Sequence, residues 1–264
     1  MNYQLFEPPS HLNNYVSHFW VLEGRDKSPE PRTFTVMSSG CPGLIFLQNP
    51  DAIAGFEGER LPQLFVFGQA TRAGQLQFTN TFSNIGVNFR PGALKSLFGL
   101  DASELTHQNT SLANLVKTSL SEQLANCNSA QQKVSCLTKF LVKQANLHGS
   151  PNDRLEYALA ALQQGQKIAK ILHDLNLSER SIERLFLTHI GIAPVMYTRI
   201  IRFQAAISLL RQGKFRSLTD IAHSLDYFDQ SHFIRDFRLF SGLSPSVYLR
   251  KTIERMPGFP EWEA

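Results

Sequence analysis

Two stretches of this 264-residue chain, SERSIERLFLTHIGIAPVMYTR (178–199) and DQSHFIRDFRLFSGLSPSVYLR (229–250), repeat one pattern at an offset of 51 positions. Arg184/Arg235, Phe186/Phe237, Gly191/Gly242, Pro194/Pro245, Tyr197/Tyr248 and Arg199/Arg250 are identical pairs, and apolar residues match at Ile182/Phe233 and Ile192/Leu243. Arg and Gln side chains can make paired hydrogen bonds to guanine and adenine edges, and cationic side chains can neutralise phosphates. At helical spacing Ile182, Leu185 and Phe186 share an inward face, as do Phe233 and Phe237 in the second copy. The opposite face then carries Arg180, Glu183 and Arg184 in the first copy. In the second it carries Gln230, Ser231, Ile234 and Arg235, with His232 at its flank. A lone exposed Arg is ordinary surface, but Arg184 and Arg235 recur at one phase of two copies, which marks them as candidate base readers. Glu183 repels phosphate yet can accept from a cytosine amino group, so it stands as a base-contact candidate with both readings open.

Each copy begins with a residue suited to cap a helix, Ser178 or Asp229, whose side-chain oxygen can accept from first-turn amides. The remaining donors and the positive helix end favour a nearby phosphate. Expected phosphate contacts are therefore Lys167, Ser178, Arg199, Lys214, Asp229, Arg238, Arg250 and Lys251.

These residues need elements to hold them. Gly191 and Gly242 suit left-handed positions after a helix, and Pro194 and Pro245 suit the first turn of the next. Tyr197 and Tyr248 recur on the apolar side and read as packing residues. A short apolar helix precedes each copy, IAKILHDL (168–175) and LTDIAHSL (218–225), so each pair reads as a helix-turn-helix. Met196, Ile200, Phe203, Ile207 and Leu210 form one apolar stripe, predicting a long helix that ends near Gly213 and joins the units. RLEYALAALQQG (154–165) predicts one further helix.

Upstream the pattern changes. VSHFWVLE, RTFTVMSS, GLIFLQN, PQLFVFGQ, GQLQFTNTF and NIGVNFR are short, rich in β-branched and aromatic residues, and bounded by Gly, Pro and Asn, which predicts a small sandwich or barrel. PGALKSLFG predicts a short helix after Pro91, and segments 112–126 and 130–146 predict two more. The polar HGSPND (148–153) marks a domain boundary. The expected fold is α+β: a β-rich, cupin-like barrel or sandwich over 1–108, and a helical linker or dimerising segment over 109–150. An all-α domain of tandem helix-turn-helix units would fill 151–264.

Hydrophobic residues make up 42% of the chain and charged residues 18%, with a net charge of +4, as in an ordinary globular protein. Residues 151–264 hold 15 Lys/Arg against 12 Asp/Glu, a tilt that permits nucleic-acid binding without indicating it. Cys41, Cys127 and Cys136 have no metal-ligand spacing and read as reduced, mostly buried thiols. No leader or membrane span is evident, so a cytoplasmic location is expected.

The tandem resembles the DNA-binding domain of the AraC/XylS-type bacterial transcription regulators. DIAHSLDYFDQSHFIRDFRLFSGLSPSVY (220–248) is the strongest part, with Gln230, Ser231, His232, Phe233, Arg235, Phe237, Gly242, Pro245 and Tyr248 in the pattern's places. The resemblance extends more loosely back to about residue 154. Departures are Asp226 and Asn176 at turns that usually carry Gly, both tolerant of positive φ, and Ile171 where a small Ala is common, matched by Ala222. HFWVLEG, SSGCPGLIFL and GVNFRPGAL are similar to a β-rich front domain of some such regulators. The resemblance implies a sensing or dimerising role for that half. The implied partners are double-stranded DNA and a second copy of the chain, and the resemblance leaves room for a small-molecule effector and for RNA polymerase.

With only His11 and His18 in the β region and no HxH, a metal site is not expected, and no cofactor is. Phe19, Trp20, Phe34, Phe46, Phe65, Phe67, Phe78, Phe82 and Phe89 could line an apolar pocket or fill the core. No catalytic grouping or phosphate loop supports an enzyme. The expected function is sequence-specific reading of DNA. The alternative is a protein-interaction or anti-activator module that keeps the fold without binding DNA.

Overall fold

The computed structural model describes residues 2–24, 32–55, 58–79, 81–148, 152–213, 215–250 and 261–262. Ten strands occur among them: β1 (Asn2–Phe6), β2 (Val16–Gly24), β3 (Arg32–Val36), β4 (Gly43–Leu47), β5 (Ile53–Ala54), β6 (Leu64–Phe67), β7 (Gly74–Phe78), β8 (Phe82–Phe89), β9 (Asn109–Ser111) and β10 (Glu261–Trp262). All pairings are antiparallel. They form a six-stranded sheet, β1-β2-β8-β4-β6-β9, and a four-stranded sheet, β10-β3-β7-β5.

The inner strands of the larger sheet are buried on both faces, and their sequence says why. HFWVL, GLIFL and LFVF are nearly continuous apolar runs, so successive side chains have no polar face to present to water. Trp20, Leu22, Leu47 and Phe65 point to the smaller sheet, joining Phe34, Ile53, Phe78 and Phe82. Phe19, Val21, Leu44, Phe46, Leu64 and Val66 point to the other side, where helices cover them. Gly86 lies directly beneath the Trp20 indole and leaves no room for a Cβ. The indole Nε1 donates to Asn88 Oδ1 at 3.1 Å. Of the aromatic residues expected in a pocket or core, all but the half-buried Phe67 are buried within these two clusters.

The covering helices are α1 (Ala93–Phe98), α2 (Leu112–Leu115), α3 (Leu120–Ala125) and α4 (Ala130–His148). The single helix expected over 112–126 is thus two. Val116 is extended, and the Thr118 hydroxyl takes the Leu120 amide, so a β-branched residue and a side-chain acceptor break the run. Leu112, Leu120, Leu124, Leu137 and Leu141 share the core of the large sheet, and β9 extends that sheet. Among the described residues, 109–148 therefore pack with the front half.

The C-terminal half contains α5 (Asp153–Gln163), α6 (Ile168–Leu175), α7 (Glu179–His189), α8 (Pro194–Gln212), α9 (Leu218–Ser224), α10 (Gln230–Ser241) and α11 (Pro245–Arg250). The cluster running from Leu155 to Tyr248 is its own core, with Ile200, Phe203, Ile207 and Leu210 of α8 at the centre. Gly213 ends α8 at φ +65°.

The halves are in contact at the C-terminal ends of α7 and α10. Thr106 Oγ1 donates to the Gly191 carbonyl at 2.7 Å. Main-chain amides of Ser38 and Ala73 donate to the carbonyls of Phe240 (3.0 Å) and Leu239 (2.9 Å), which are otherwise orphaned acceptors of the last turn of α10. Gln204 Nε2 on α8 donates to the Ser38 carbonyl at 2.5 Å.

Candidate nucleic-acid interface

Both helix-turn-helix turns are closed by a left-handed residue, Asn176 at φ +48° and Asp226 at φ +55°. The same bonds close each: Leu177 N to Leu172 O and Tyr227 N to Ala222 O, both 2.9 Å. Before the turns the copies are therefore offset by 50, not 51. Ile171 corresponds to Ile221, 0% and 1% exposed, and Leu172 to Ala222, which corrects the pairing of Ile171 with Ala222. The register changes because the second turn has one extra residue before its cap. Tyr227 takes the buried place against Phe233, ring centroids 5.4 Å apart, and Phe228 is 89% exposed.

The caps form as the residue types dictate. Ser178 Oγ accepts from Ser181 N at 3.2 Å, and Asp229 Oδ1 from His232 N at 2.6 Å. Both helices then divide cleanly into faces. Ile182 and Phe186 are 2% and 0% exposed, and Phe233 and Phe237 are both 0%. Leu185 is half-buried. Arg180, Glu183 and Arg184 are exposed on α7, and Ser231 and Arg235 on α10. Gln230 is half-buried, its Oε1 accepting from Thr219 Oγ1 of α9 at 2.8 Å. That bond leaves the Gln230 amide donors directed by a fixed partner.

Two expected contacts are redirected. Arg199 is not free for phosphate: its Nη2 and Nε donate to Asp236 Oδ1 (2.7 Å) and Oδ2 (3.3 Å), and it lies 5.6 Å over the Phe240 ring. Asp236 is 2% exposed and holds the guanidinium above its ordinary pKa. A buried carboxylate demands such a partner, so Arg199 ties α8 to α10. His232 turns towards Tyr227 (5.4 Å) and Asp236 Oδ2 (3.9 Å), half-buried and away from the exposed face. Arg202, which the sequence pattern did not single out, donates to the Asp226 carbonyl at 3.0 Å and stacks 5.2 Å over Tyr227. It anchors the second turn to α8. Burial also pushes the Tyr227 hydroxyl well above its usual range, keeping it neutral.

Lys167, Ser178, Asp229, Arg238 and Arg250 are exposed, while Lys214 and Lys251 lie outside the described residues. Glu179 beside the exposed cations tempers their field. The opposite ends of the helices are occupied. His189 near the end of α7 lies within electrostatic reach of Lys95 and Asp101, and burial followed by Lys95 lowers its pKa. Gly191 at φ +92° leaves a Cβ only 2.7 Å from the Ala102 carbonyl and the Thr106 hydroxyl. Among the described residues no helix is long and apolar enough to cross a membrane, and no group of three or more His, Cys, Asp or Glu could hold a metal.

Residues 171–251 match the family described as Helix-turn-helix domain, and residues 4–111 match the Domain of unknown function (DUF6597) family. The chain is 36% identical over 93 residues to the uncharacterized HTH-type transcriptional regulator YidL of Escherichia coli, covering 35% of this chain and 31% of that protein. It is 31% identical over 126 residues to the HTH-type transcriptional activator RhaR of Yersinia pseudotuberculosis, covering 46% and 42% respectively. The chain thus spans less than half the length of these curated relatives. ToxT of Vibrio cholerae matches in structure with a TM-score of 0.47 at 13% identity, covering 88% of this chain and 98% of that one.

Proposed function

We propose that the C-terminal half, whose residues 171–251 match a helix-turn-helix family, is an AraC-type DNA-binding domain that reads double-stranded DNA sequence through α7 and α10. The observation that carries this reading is the matched division of faces. Ile182/Phe233 and Phe186/Phe237 are buried while Arg184/Arg235 are exposed, at the same phase of two helices on one scaffold. Two such helices can enter successive major grooves on one side of a duplex.

Arg184 and Arg235 read guanine edges, Gln230 reads adenine through its directed amide, and Arg180, Glu183 and Ser231 complete the base contacts. Lys167, Arg238 and Arg250 contact phosphates with the capped N-termini at Ser178 and Asp229, and Lys214 and Lys251 add to that set. His232 and Arg199 position α10 instead of touching DNA. Phe228, the exposed residue of the longer turn, joins the reading surface at the start of α10, where a thymine methyl or deoxyribose can cover it. The two-copy assembly, any small-molecule control and any contact with RNA polymerase belong with the front half. That half has its own core and touches both reading helices. The protein acts in the cytoplasm, where the chromosome lies.

The test is selection of bound sequences from a random duplex library, followed by binding isotherms at several salt concentrations. Arg235→Ala is expected to weaken the selected site by about 1–3 kcal/mol and relax one base position. No selected sequence, together with binding that does not change with salt, would favour the protein-interaction alternative.

A further inference from the structure

Three cysteines with no informative spacing in the sequence divide into one isolated thiol and one converging pair. Cys41 sits in the loop that meets α8, and burial pushes its thiol up to about 11, which keeps it protonated and inert. Cys127 follows α3 and Cys136 lies on the second turn of α4, and both meet at one residue. Cys127 Sγ donates to the Gln123 carbonyl at 3.2 Å, and Cys136 Sγ donates to Gln123 Oε1 at 3.3 Å. Cys127 also lies near enough to raise the Cys136 thiol. Both are partly accessible to solvent, which corrects the expectation of mostly buried thiols. Cations flank them: Lys133, hydrogen-bonded to Gln48 at 2.8 Å, lies within electrostatic reach of Cys127, and Lys139 within reach of Cys136.

We propose that Cys127 and Cys136 form a reversible dithiol–disulfide centre, oxidised by low-molecular-weight disulfides of the glutathione class. Accessibility, proximity of a second thiol and a nearby cation are the conditions for thiol–disulfide exchange. Cys127, beside the Lys133 ammonium, attacks as its thiolate. A bond forms between Cys127 Sγ and one sulfur of the external disulfide, that disulfide's S–S bond breaks, and one thiolate leaves and takes up a proton. Cys136, whose thiol is held up by burial and by Cys127, resolves the intermediate. It gives its proton to solvent and attacks Cys127 Sγ, forming the intramolecular bond and expelling the second external thiol. The protein loses two electrons and two protons, and the external disulfide gains both as two thiols.

The bond closes the connection between α3 and α4 and fixes α3 on a helix whose neighbour, α1, packs against α7. The proposal is independent of DNA reading. It is tested by equilibrating the full chain across ratios of reduced to oxidised glutathione, alkylating, and mapping peptides by mass spectrometry. The expected result is one two-electron transition to a Cys127–Cys136 cross-link within one chain, reversed by dithiothreitol, with Cys41 alkylated throughout when the alkylation is done in denaturant. Cys136→Ser should stop at a glutathione adduct on Cys127. Three alkylatable thiols in the most oxidising buffer would overturn the proposal. So would a transition that ends at the mixed disulfide in the unsubstituted chain, or cross-links only between chains.

Discussion

The two helix-turn-helix units repeat the same residues but are held in place by different means. The first is seated from outside. The end of α7 abuts the segment around Ala102 and Thr106 so closely that Gly191 cannot take a Cβ, and among the described residues its turn at Asn176 has no side-chain tie to α8. The second is met from outside too, by the Ser38 and Ala73 amides, but it adds ties from within, through Arg199–Asp236, Arg202 on the Asp226 carbonyl, and Thr219 on Gln230. Its glycine has more room: a Cβ at Gly242 would stand 3.5 Å from Ala73. Identical repeat residues therefore do unlike work. Arg199 is a structural cation and Arg250 an exposed one. A duplicated motif conserves its helix-forming residues first, and its fixings are added from wherever the chain passes.

The sharpest way to break this comparison is to change the identical arginines. Arg199→Met leaves Asp236 buried without its cation and is expected to cost about 3–5 kcal/mol in chemical denaturation, with Asp236→Leu restoring most of the loss. Arg250→Met should cost less than about 0.5 kcal/mol. Equal losses would mean that the two units are fixed alike. The glycines come next. Gly191→Ala meets both positive φ and two close oxygens and is expected to cost about 2–4 kcal/mol, against about 1–2 kcal/mol for Gly242→Ala, where φ alone resists.

A smaller effect concerns the longer turn. Phe228→Ser should leave thermal stability unchanged, because the ring is exposed, while weakening binding to a selected duplex by about 1 kcal/mol. Unaltered binding would remove Phe228 from the reading surface. The seat of the first unit also titrates. His189 has a folded pKa below its ordinary value of 6.5, so the unfolded chain takes up the proton first. Its contribution to stability is complete above that value and declines as pH falls through it towards the lower folded pKa, and His189→Gln should flatten that part of the profile. The smallest change is a gain: Asn176→Gly relieves a left-handed residue and should stabilise by about 0.5 kcal/mol, measured as a higher denaturation midpoint.

The tandem was legible in the chain because local physics writes it locally. Ser178, Asp229, Gly191, Pro194 and their counterparts each act within a turn of their own position, and Asn176 and Asp226 adopt the positive φ their residue types tolerate. The six β runs were legible for the same reason. What escaped was the pairing of distant groups. Nothing near Arg199 announces Asp236, 37 residues on, and a repeated Arg invited one role for both copies. The short edge strands β1 and β9 were missed because their sheet partners, not their own residues, make them strands. The extra residue at Phe228 was hidden by aligning on one constant offset. It could have been found by matching turn residues, since two adjacent aromatics before a cap cannot both occupy one buried place.

The amides of Ser38 and Ala73 that complete the last turn of α10 bear on how the molecule could move. Because Thr106 holds the end of α7 in a similar way, a displacement of the front half would pull on the trailing ends of both helices together and leave their leading tips untouched. Lever and load would then sit at opposite ends of the same rods, and a shift too small to disturb any base contact directly could still alter the angle between the two rods.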